Sequence, residues 1–368
     1  MSSNKTEQNN NNAHVTFIGG GNMGRALISG LLASGFEPNQ ISVVEANATT
    51  ALKLHADFGV QGIGALEQIA FDFSKNNVVV MAIKPQDFNV VAKGLAAKLK
   101  HASAPGPLIL SIAAGIRLKD MSRWLDHTRC VRAMPNTPAL IGKGITGLFA
   151  DTEVTQSDRS LAETICNAVG QAVWVSEEKL MDAVTAVSGS GPAYVFAFLE
   201  AMQSAGEKLG LDTETARKLA YATLEGATQL AHNSDEHAGV LRERVTSKGG
   251  TTAAALDVMK QQGWHEILEK AIPEGQFNNE SFADVTSDEE WIEDYLNVTI
   301  AANKVKKLQN VLTKINSKLK NAEVEFVNHG IEESINLMEQ EGRNYALNQR
   351  GHNLMVLLAN LPISELLH

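Results

Sequence analysis

The sequence predicts an α/β protein, a doubly wound parallel sheet followed by an all-helical region. Three observations carry that reading. Short apolar runs alternate with amphipathic helical stretches through residues 13–177. The first apolar run enters the first helix through Gly19-Gly20-Gly21-Asn22-Met23-Gly24. From residue 178 to about 272 only helical periodicity remains. Strands that alternate with helices belong to a parallel sheet covered on both faces.

Residues 14–18 are a short apolar run ending on glycine, a buried strand, and residues 22–34 place Met23, Ala26, Leu27 and Leu31 on one side of a helix. Residues 41–45 read as a second strand and 51–58 as a helix stopped by Gly59. Residues 77–83 are almost wholly apolar, as a central parallel strand should be, and Pro85 ends them. A helix over 88–99, a strand over 107–113 and a short helix over 118–124 follow. Strands over 128–133 and 147–150, a helix over 158–170 and a strand over 172–176 complete this part.

Beyond residue 178 the spacing predicts a helix over 192–209, with Val195, Phe198, Leu199, Met202, Ala205 and Leu209 on one face. Pro192 suits its first turn and Gly210 its stop. A helix over 213–231 carries Ala216, Leu219, Ala220, Thr223, Leu224, Ala227 and Leu230 on one face. Its small residues suit close packing within the chain or against another subunit. A turn at Lys248-Gly249-Gly250 precedes a helix over 251–261. Residues 273–368 change character again and read as a helical extension. They hold an acidic stretch over 283–294 and a heptad-like seam through Val305, Leu308, Leu312, Ile315 and Leu319, too short for a coiled coil. Residues 331–337 and 354–358 could add further helix. Residues 1–12, polar and Asn-rich, read as a disordered tail.

Composition excludes several functions. The 368 residues suffice for two or three domains. A net charge of −10 repels phosphate backbones, so nucleic acid is not an expected partner. Any anionic ligand must be held by helix N-termini or single basic residues. The first residues lack the charged start and apolar run of a signal peptide, and no apolar stretch reaches the roughly 18 residues of a membrane span. Cys130 and Cys166 form neither a CxxC pair nor a zinc spacing and are expected as buried, reduced thiols. A reducing cytoplasm is the expected compartment.

The chemistry-bearing segments begin with Gly19-x-Gly21-x-x-Gly24, set between strand and helix. Gly19 allows the tight turn, Gly21 lets the backbone approach a pyrophosphate and Gly24 lets helix and strand pack closely. The helix start, at Asn22 and Met23, offers N–H groups to phosphate. This is the fingerprint of a Rossmann domain. Glu45 ends the second strand, where a carboxylate bonds an adenosine ribose 2′-hydroxyl and disfavours a 2′-phosphate, or is simply an exposed loop residue. No arginine follows it, though Asn47 and Thr49 could serve a 2′-phosphate. Ala82-Ile83-Lys84-Pro85 and Ser111-Ile112-Ala113-Ala114-Gly115 fall at carboxyl ends of strands, where ligands of open sheets bind. Ala113 and Ala114 leave room for a nicotinamide ribose, and Lys84 is a cofactor-side cation or a surface lysine. Ser188-Gly189-Ser190-Gly191-Pro192 and Thr246-Ser247-Lys248-Gly249-Gly250-Thr251-Thr252 read as small-residue turns running into helices. Both would offer backbone N–H donors to a small carboxylate, and Thr251 or Thr252 could instead cap its helix. The sequence shows no nucleophile-His-acid triad, no HExxH and no metal cluster, so the expected chemistry is a bound cofactor's hydride.

Five stretches, taken in order, resemble the delta-1-pyrroline-5-carboxylate reductase family over about residues 14–272. They are Phe17 through Gly24, Ala82-Ile83-Lys84-Pro85-Gln86, Met134-Pro135-Asn136-Thr137-Pro138, Ala186 through Tyr194, and Val245 through Thr252. The resemblance implies a cofactor domain over 13–177 and a helical dimerisation domain over 178–272, whose helices interleave between two subunits and whose dimers often assemble further. It implies hydride transfer to the C=N carbon of 1-pyrroline-5-carboxylate, giving L-proline in the last step of proline synthesis. The substrate would sit between the cofactor and residues 247–252, with Ser188 also near. Amides around Ser247, Gly249, Gly250 and Thr251 would hold its carboxylate, and Thr252, the catalytic residue, would bond the ring nitrogen. NADPH is the cofactor the resemblance implies, with NADH also possible. Position 248 is lysine where many relatives have proline, and residues 273–368 match nothing in the family.

Two other readings remain open. A β-hydroxyacid dehydrogenase would place a lysine in the helix after its Ser/Gly turn, and residues 193–200 contain none; a related imine reductase would not need one. A cofactor-sensing module without turnover would bind NAD(P)H and oxidise it with no imine.

Overall fold

A computed structural model describes residues 13–69, 76–100 and 106–275. The expectations for residues 1–12 and for the extension beyond 275 lie outside the described residues.

The first part is an eight-stranded sheet in the order β3-β2-β1-β4-β5-β6-β7-β8. Its strands are β1 (Ala13–Ile18), β2 (Ile41–Val44), β3 (Gln61–Ile63), β4 (Asn76–Met81), β5 (Leu108–Ser111), β6 (Cys130–Met134), β7 (Gly144–Ala150) and β8 (Gly170–Trp174). Helices α1 (Asn22–Ala33), α2 (Ala48–Phe58), α3 (Pro85–Leu99), α4 (Leu118–Leu125) and α5 (Gln156–Asn167) connect them. Two apolar clusters cover the sheet, one centred on Phe17, Leu27, Ile28 and Leu31, the other on Phe88, Leu95, Ile109 and Met121. Each fully buried large side chain contributes about 1.5–3 kcal/mol over its exposed state.

Helix starts depart from the apolar periodicity because local chemistry sets them. Asn47 Oδ1 accepts from Thr50 N–H at 3.0 Å, so α2 begins at Ala48 rather than 51. Pro85 occupies the first turn of α3, whose N–H would be unpaired anyway. Thr155 and Asp158 cap α5 reciprocally. Asp158 does more: it receives Arg129 Nε at 2.9 Å and a second guanidinium hydrogen bond, tying α5 to the strand entrance of β6. Burial would raise its carboxyl, and the hydrogen bonds from Arg129 and Thr155 outweigh that, holding it below the usual carboxylate range.

The sheet is not wholly parallel, as the sequence suggested. β7 runs antiparallel to β6, and β8 then runs parallel to β7. The link over residues 135–143 is only a 3-10 turn (Thr137–Ile141) closed by Gly142 at φ 70°, too short for the crossover a parallel partner needs. The three-residue edge strand β3 carried no apolar alternation and was invisible in the sequence.

The helical part comprises α6 (Leu180–Val184), a π-helical turn (Thr185–Gly189), α7 (Gly191–Lys208), α8 (Thr213–His232), α9 (Ala238–Arg244), α10 (Thr251–Gln261) and α11 (Trp264–Glu274). The expected turn at Ser188 is therefore a correction: the chain stays helical there, and Ser190 N–H bonds Thr185 C=O at 2.8 Å. Helices α7 and α8 pack through small residues, with Ala216 and Ala220 buried and Ala216 Cβ 3.2 Å from where a Cβ on Gly206 would stand. Most of the predicted apolar faces stay open in the single chain: Leu199 alone is buried on α7, and Leu219 and Leu230 are 53% and 62% exposed. Both thiols are buried, which pushes Cys130 and Cys166 up to about 12 and leaves them unreactive. Among the described residues no helix is long and apolar enough to cross a membrane.

Candidate functional site

Strand order reverses between β1 and β4, and that switch point is where open sheets bind ligands. The carboxyl ends of adjacent strands β2, β1, β4 and β5 present Glu45, Gly19, Ala82 and Ile112 side by side. The four segments singled out for cofactor contact thus form one continuous edge.

Gly19 holds φ at 97°, and a Cβ on it would lie 2.4 Å from the Ala82 carbonyl oxygen. Its N–H bonds Val44 C=O at 2.9 Å, so the turn is wedged between β2 and β4. Gly24 is buried, and a Cβ there would lie 2.7 Å from the Gly19 carbonyl oxygen. At Gly21 a Cβ would meet nothing within 4 Å, so that face of the turn is open. Met23 packs on the core while Asn22 is exposed. Helix α1 starts at Gly21 with no side-chain cap and no acidic residue in its first turn, leaving N–H groups for an anion. These residues fit a dinucleotide's phosphates.

Glu45 is half-buried, not a free loop carboxylate. Its Oε2 accepts from Gly20 N–H and its Oε1 from Asn47 N–H, each at 2.8 Å. The carboxylate is thereby fixed beside the glycine turn. Asn47 Oδ1 is committed to capping α2, which removes its carbonyl oxygen from any ligand role. Lys84 is exposed immediately before α3, and Pro85 follows in that helix. Ala113 is buried, with its N–H on Ser111 Oγ at 3.2 Å, and Ala114 is half-buried.

In the helical part, α10 opens at Gly250 without a side-chain cap. Thr251 and Thr252 are the first and second helical residues, so neither caps the helix. Gly249 turns at φ 76°, and Gly250 N–H closes the turn on Ser247 C=O at 3.0 Å. Ser247, Gly249 and Thr251 are exposed; Gly250 and Thr252 are half-buried. Among the described residues no hydrogen bond links this loop to the glycine turn. Ser188 is in the π turn, with its hydroxyl donating to Val184 C=O at 2.9 Å. Among the described residues no group of three or more His, Cys, Asp or Glu could hold a metal ion.

A family model described as pyrroline-5-carboxylate reductase dimerisation matches residues 178–278, and one described as NADP oxidoreductase, coenzyme F420-dependent, matches residues 14–115. The pyrroline-5-carboxylate reductase of Pseudomonas aeruginosa is 42% identical over 259 residues, covering 70% of this chain and 92% of that protein. The chain belongs to the pyrroline-5-carboxylate reductase family. Membership places it among the NAD(P)H-dependent oxidoreductases acting on a CH–NH bond. The Arabidopsis thaliana pyrroline-5-carboxylate reductase is 34% identical, covering 70% of this chain and 91% of that one. A solved pyrroline-5-carboxylate reductase from Coxiella burnetii superimposes with TM-score 0.69 at 37% identity, over 74% of this chain and 98% of that one. A Plasmodium falciparum pyrroline carboxylate reductase solved with NADP bound gives TM-score 0.62 at 26% identity, over the same shares.

Sequence reasoning assigned no role to Asn136. It is 9% exposed and bridges β7 to the π turn. The signal was present as Pro192, four residues beyond the carbonyl that Asn136 reaches.

Proposed function

We propose that this pyrroline-5-carboxylate reductase family member reduces 1-pyrroline-5-carboxylate to L-proline with hydride from NAD(P)H, as the last step of proline synthesis. The observation that supports the reading is the presence in one chain of a glycine cradle and an uncapped α10 start. The bound dihydronicotinamide supplies the hydride. The chain's own work is to bind, orient and manage a proton. N–H groups of Thr251 and Thr252, with Ser247, Gly249 and Gly250 shaping the turn, hold a small carboxylate. The Thr252 hydroxyl, not spent on capping, faces the ring nitrogen and holds its proton. An iminium carbon accepts hydride readily, so no strong acid is required. Residues 13–177 serve as the cofactor domain and 178–272 as the dimerisation and substrate domain. The exposed apolar faces of α7 and α8 support a homodimer, with larger assemblies built from it, and the buried thiols suit the cytoplasm.

Turnover of reduced nicotinamide with pyrroline-5-carboxylate, set against β-hydroxyacids and other cyclic imines, tests the assignment. Activity confined to hydroxyacids would end it, and tight cofactor binding without oxidation by any imine would favour a sensor. Thr252→Ala is expected to lower kcat/KM by about tenfold or more, roughly 1.4 kcal/mol of lost positioning. An unchanged value in steady-state kinetics would remove that role.

The resemblance implies NADPH, whereas the ribose end supports NADH at least as well. Glu45 is pinned where a 2′-phosphate would bring like charge. Glu45→Ser should shift the ratio of kcat/KM for NADPH over NADH upward by about tenfold, the size of one close like-charge contact near a surface. Since Glu45 also steadies Gly20, both cofactors can weaken, and the ratio is the quantity to read. A ratio that stays fixed would show Glu45 to be only a turn-stabilising residue.

A further inference from the structure

Two motifs remain without a role: Met134-Pro135-Asn136-Thr137-Pro138 and residues 186–194. One side chain joins them. Asn136 Oδ1 accepts from Ile145 N–H on β7 at 2.9 Å, and its Nδ2 donates to the Ser188 carbonyl at 3.1 Å. Because Ile145 N–H can only donate, the amide has one orientation, with Nδ2 toward Ser188.

The Ser188 carbonyl needs that donor because of its own helix. In an α-helix it would accept from the N–H of residue 192. That residue is Pro192, which has no N–H and whose ring crowds the carbonyl four residues back. The chain widens into the π turn instead. Ser190 N–H bonds Thr185 C=O at 2.8 Å and Ala193 N–H bonds Ser190 C=O at 3.0 Å, so neither serves Ser188. Asn136 fills the place that Pro192 empties. Contact is close on both sides: a Cβ on Gly189 would lie 2.6 Å from Met134 Cε. Helix α11 packs on the same π turn, and α10 packs on α11.

We infer that Asn136 is a positioning residue that clamps the π turn before Pro192 to the carboxyl edge of the sheet, and so sets how the helical part presents residues 247–252. It acts through Ser188, not by touching substrate. The inference rests on the proposed reductase reading for its kinetic test, and an independent exchange measurement separates the two.

Asn136→Asp keeps the acceptor for Ile145 and removes the donor to Ser188. It should lower kcat/KM for pyrroline-5-carboxylate by about tenfold, the scale of a misplaced reacting group, while the cofactor dissociation constant changes by less than about threefold. Hydrogen exchange should accelerate in peptides covering residues 185–196. The decisive variant is Pro192→Ala, which returns an N–H to position 192. In that background Asn136→Asp should cost far less in both readouts, a coupling that a general packing role would not produce. Equal cost in both backgrounds, or cofactor affinity falling in step with kcat/KM, would overturn the inference. If Asn136→Asp alone does not fold, Pro192→Ala should restore folding to it, and failure to do so is equally fatal. Wild-type protein inert toward pyrroline-5-carboxylate would defeat the function while leaving the exchange result to decide the clamp.

Discussion

Gly19→Ala is expected to weaken NAD(P)H binding by about a hundredfold or more and to lower stability as well. The reason is steric and conformational together. Gly19 sits at φ 97°, where an L side chain costs about 1–3 kcal/mol. Its Cβ would stand 2.4 Å from the Ala82 carbonyl oxygen and 3.1 Å from Ile83 Cγ2. Backbone on the far side cannot move aside without pulling β4 from its register with β1, in which Ile18 lies opposite Met81. A shifted turn misdirects the N–H groups of α1, and roughly 2.7 kcal/mol of lost binding is a hundredfold. Gly21→Ala is the control. Its Cβ meets open space, so thermal stability should hold while cofactor affinity falls, because only the approaching pyrophosphate feels the methyl group. Calorimetric titration and melting curves on the two variants check this. Gly19→Ala binding NAD(P)H as tightly as wild type would show that the cradle is not the cofactor site.

Asp158→Ala is expected to cost about 3–5 kcal/mol of unfolding free energy, the usual result of removing one partner from a buried pair. The Asp158 side chain is 3% exposed and Arg129's is 19%. Truncation strands the guanidinium, and it also removes half of the capping box on α5. The pH dependence has a definite sign. The folded carboxyl lies below its ordinary value, because hydrogen bonds from Arg129 and Thr155 outweigh the opposing effect of burial. Its contribution is therefore present above the unfolded value, about 3.9 for an aspartate, and is lost as pH falls through the folded value. Wild type should lose stability on acidification in that window, and Asp158→Asn should lose less of it. Urea unfolding at several pH values and one fixed protein concentration reads this directly, since the proposed homodimer would make stability concentration-dependent. Parallel pH curves for the two proteins would contradict the assignment.

The glycine turn was legible because each of its residues answers a local demand. Gly19 and Gly24 have neighbours too close for a Cβ, and that constraint shows in the sequence as obligatory glycine between strand and helix. Residues 247–252 were legible for a similar reason, a small-residue turn at a helix start. Ser188 was misread on the same logic. A run of Ser and Gly before a proline looks like a turn, yet here the backbone stays helical by widening to a π turn. The side-chain donor to that widened turn is Asn136, in the link after β6, far off in the sequence. Antiparallel β7 escaped for want of any local mark: its direction follows from the shortness of the link after β6, and apolar runs look alike in either direction. Glu45 was expected at the end of the second strand and stands just after β2, but its two backbone partners were not foreseeable.

By itself the sequence determined the layering of the sheet part, the location of the glycine turn and the family to which the chain belongs. These depend on periodicity and on glycine, which act over a few residues. Only the tertiary structure decided which carbonyl Pro192 leaves unpaired and which side chain satisfies it, how Glu45 is fixed, and which apolar faces of α7 and α8 stay open. Those outcomes depend on what meets what across the fold, and a hydrogen bond spanning 52 positions leaves no trace in the spacing of either partner.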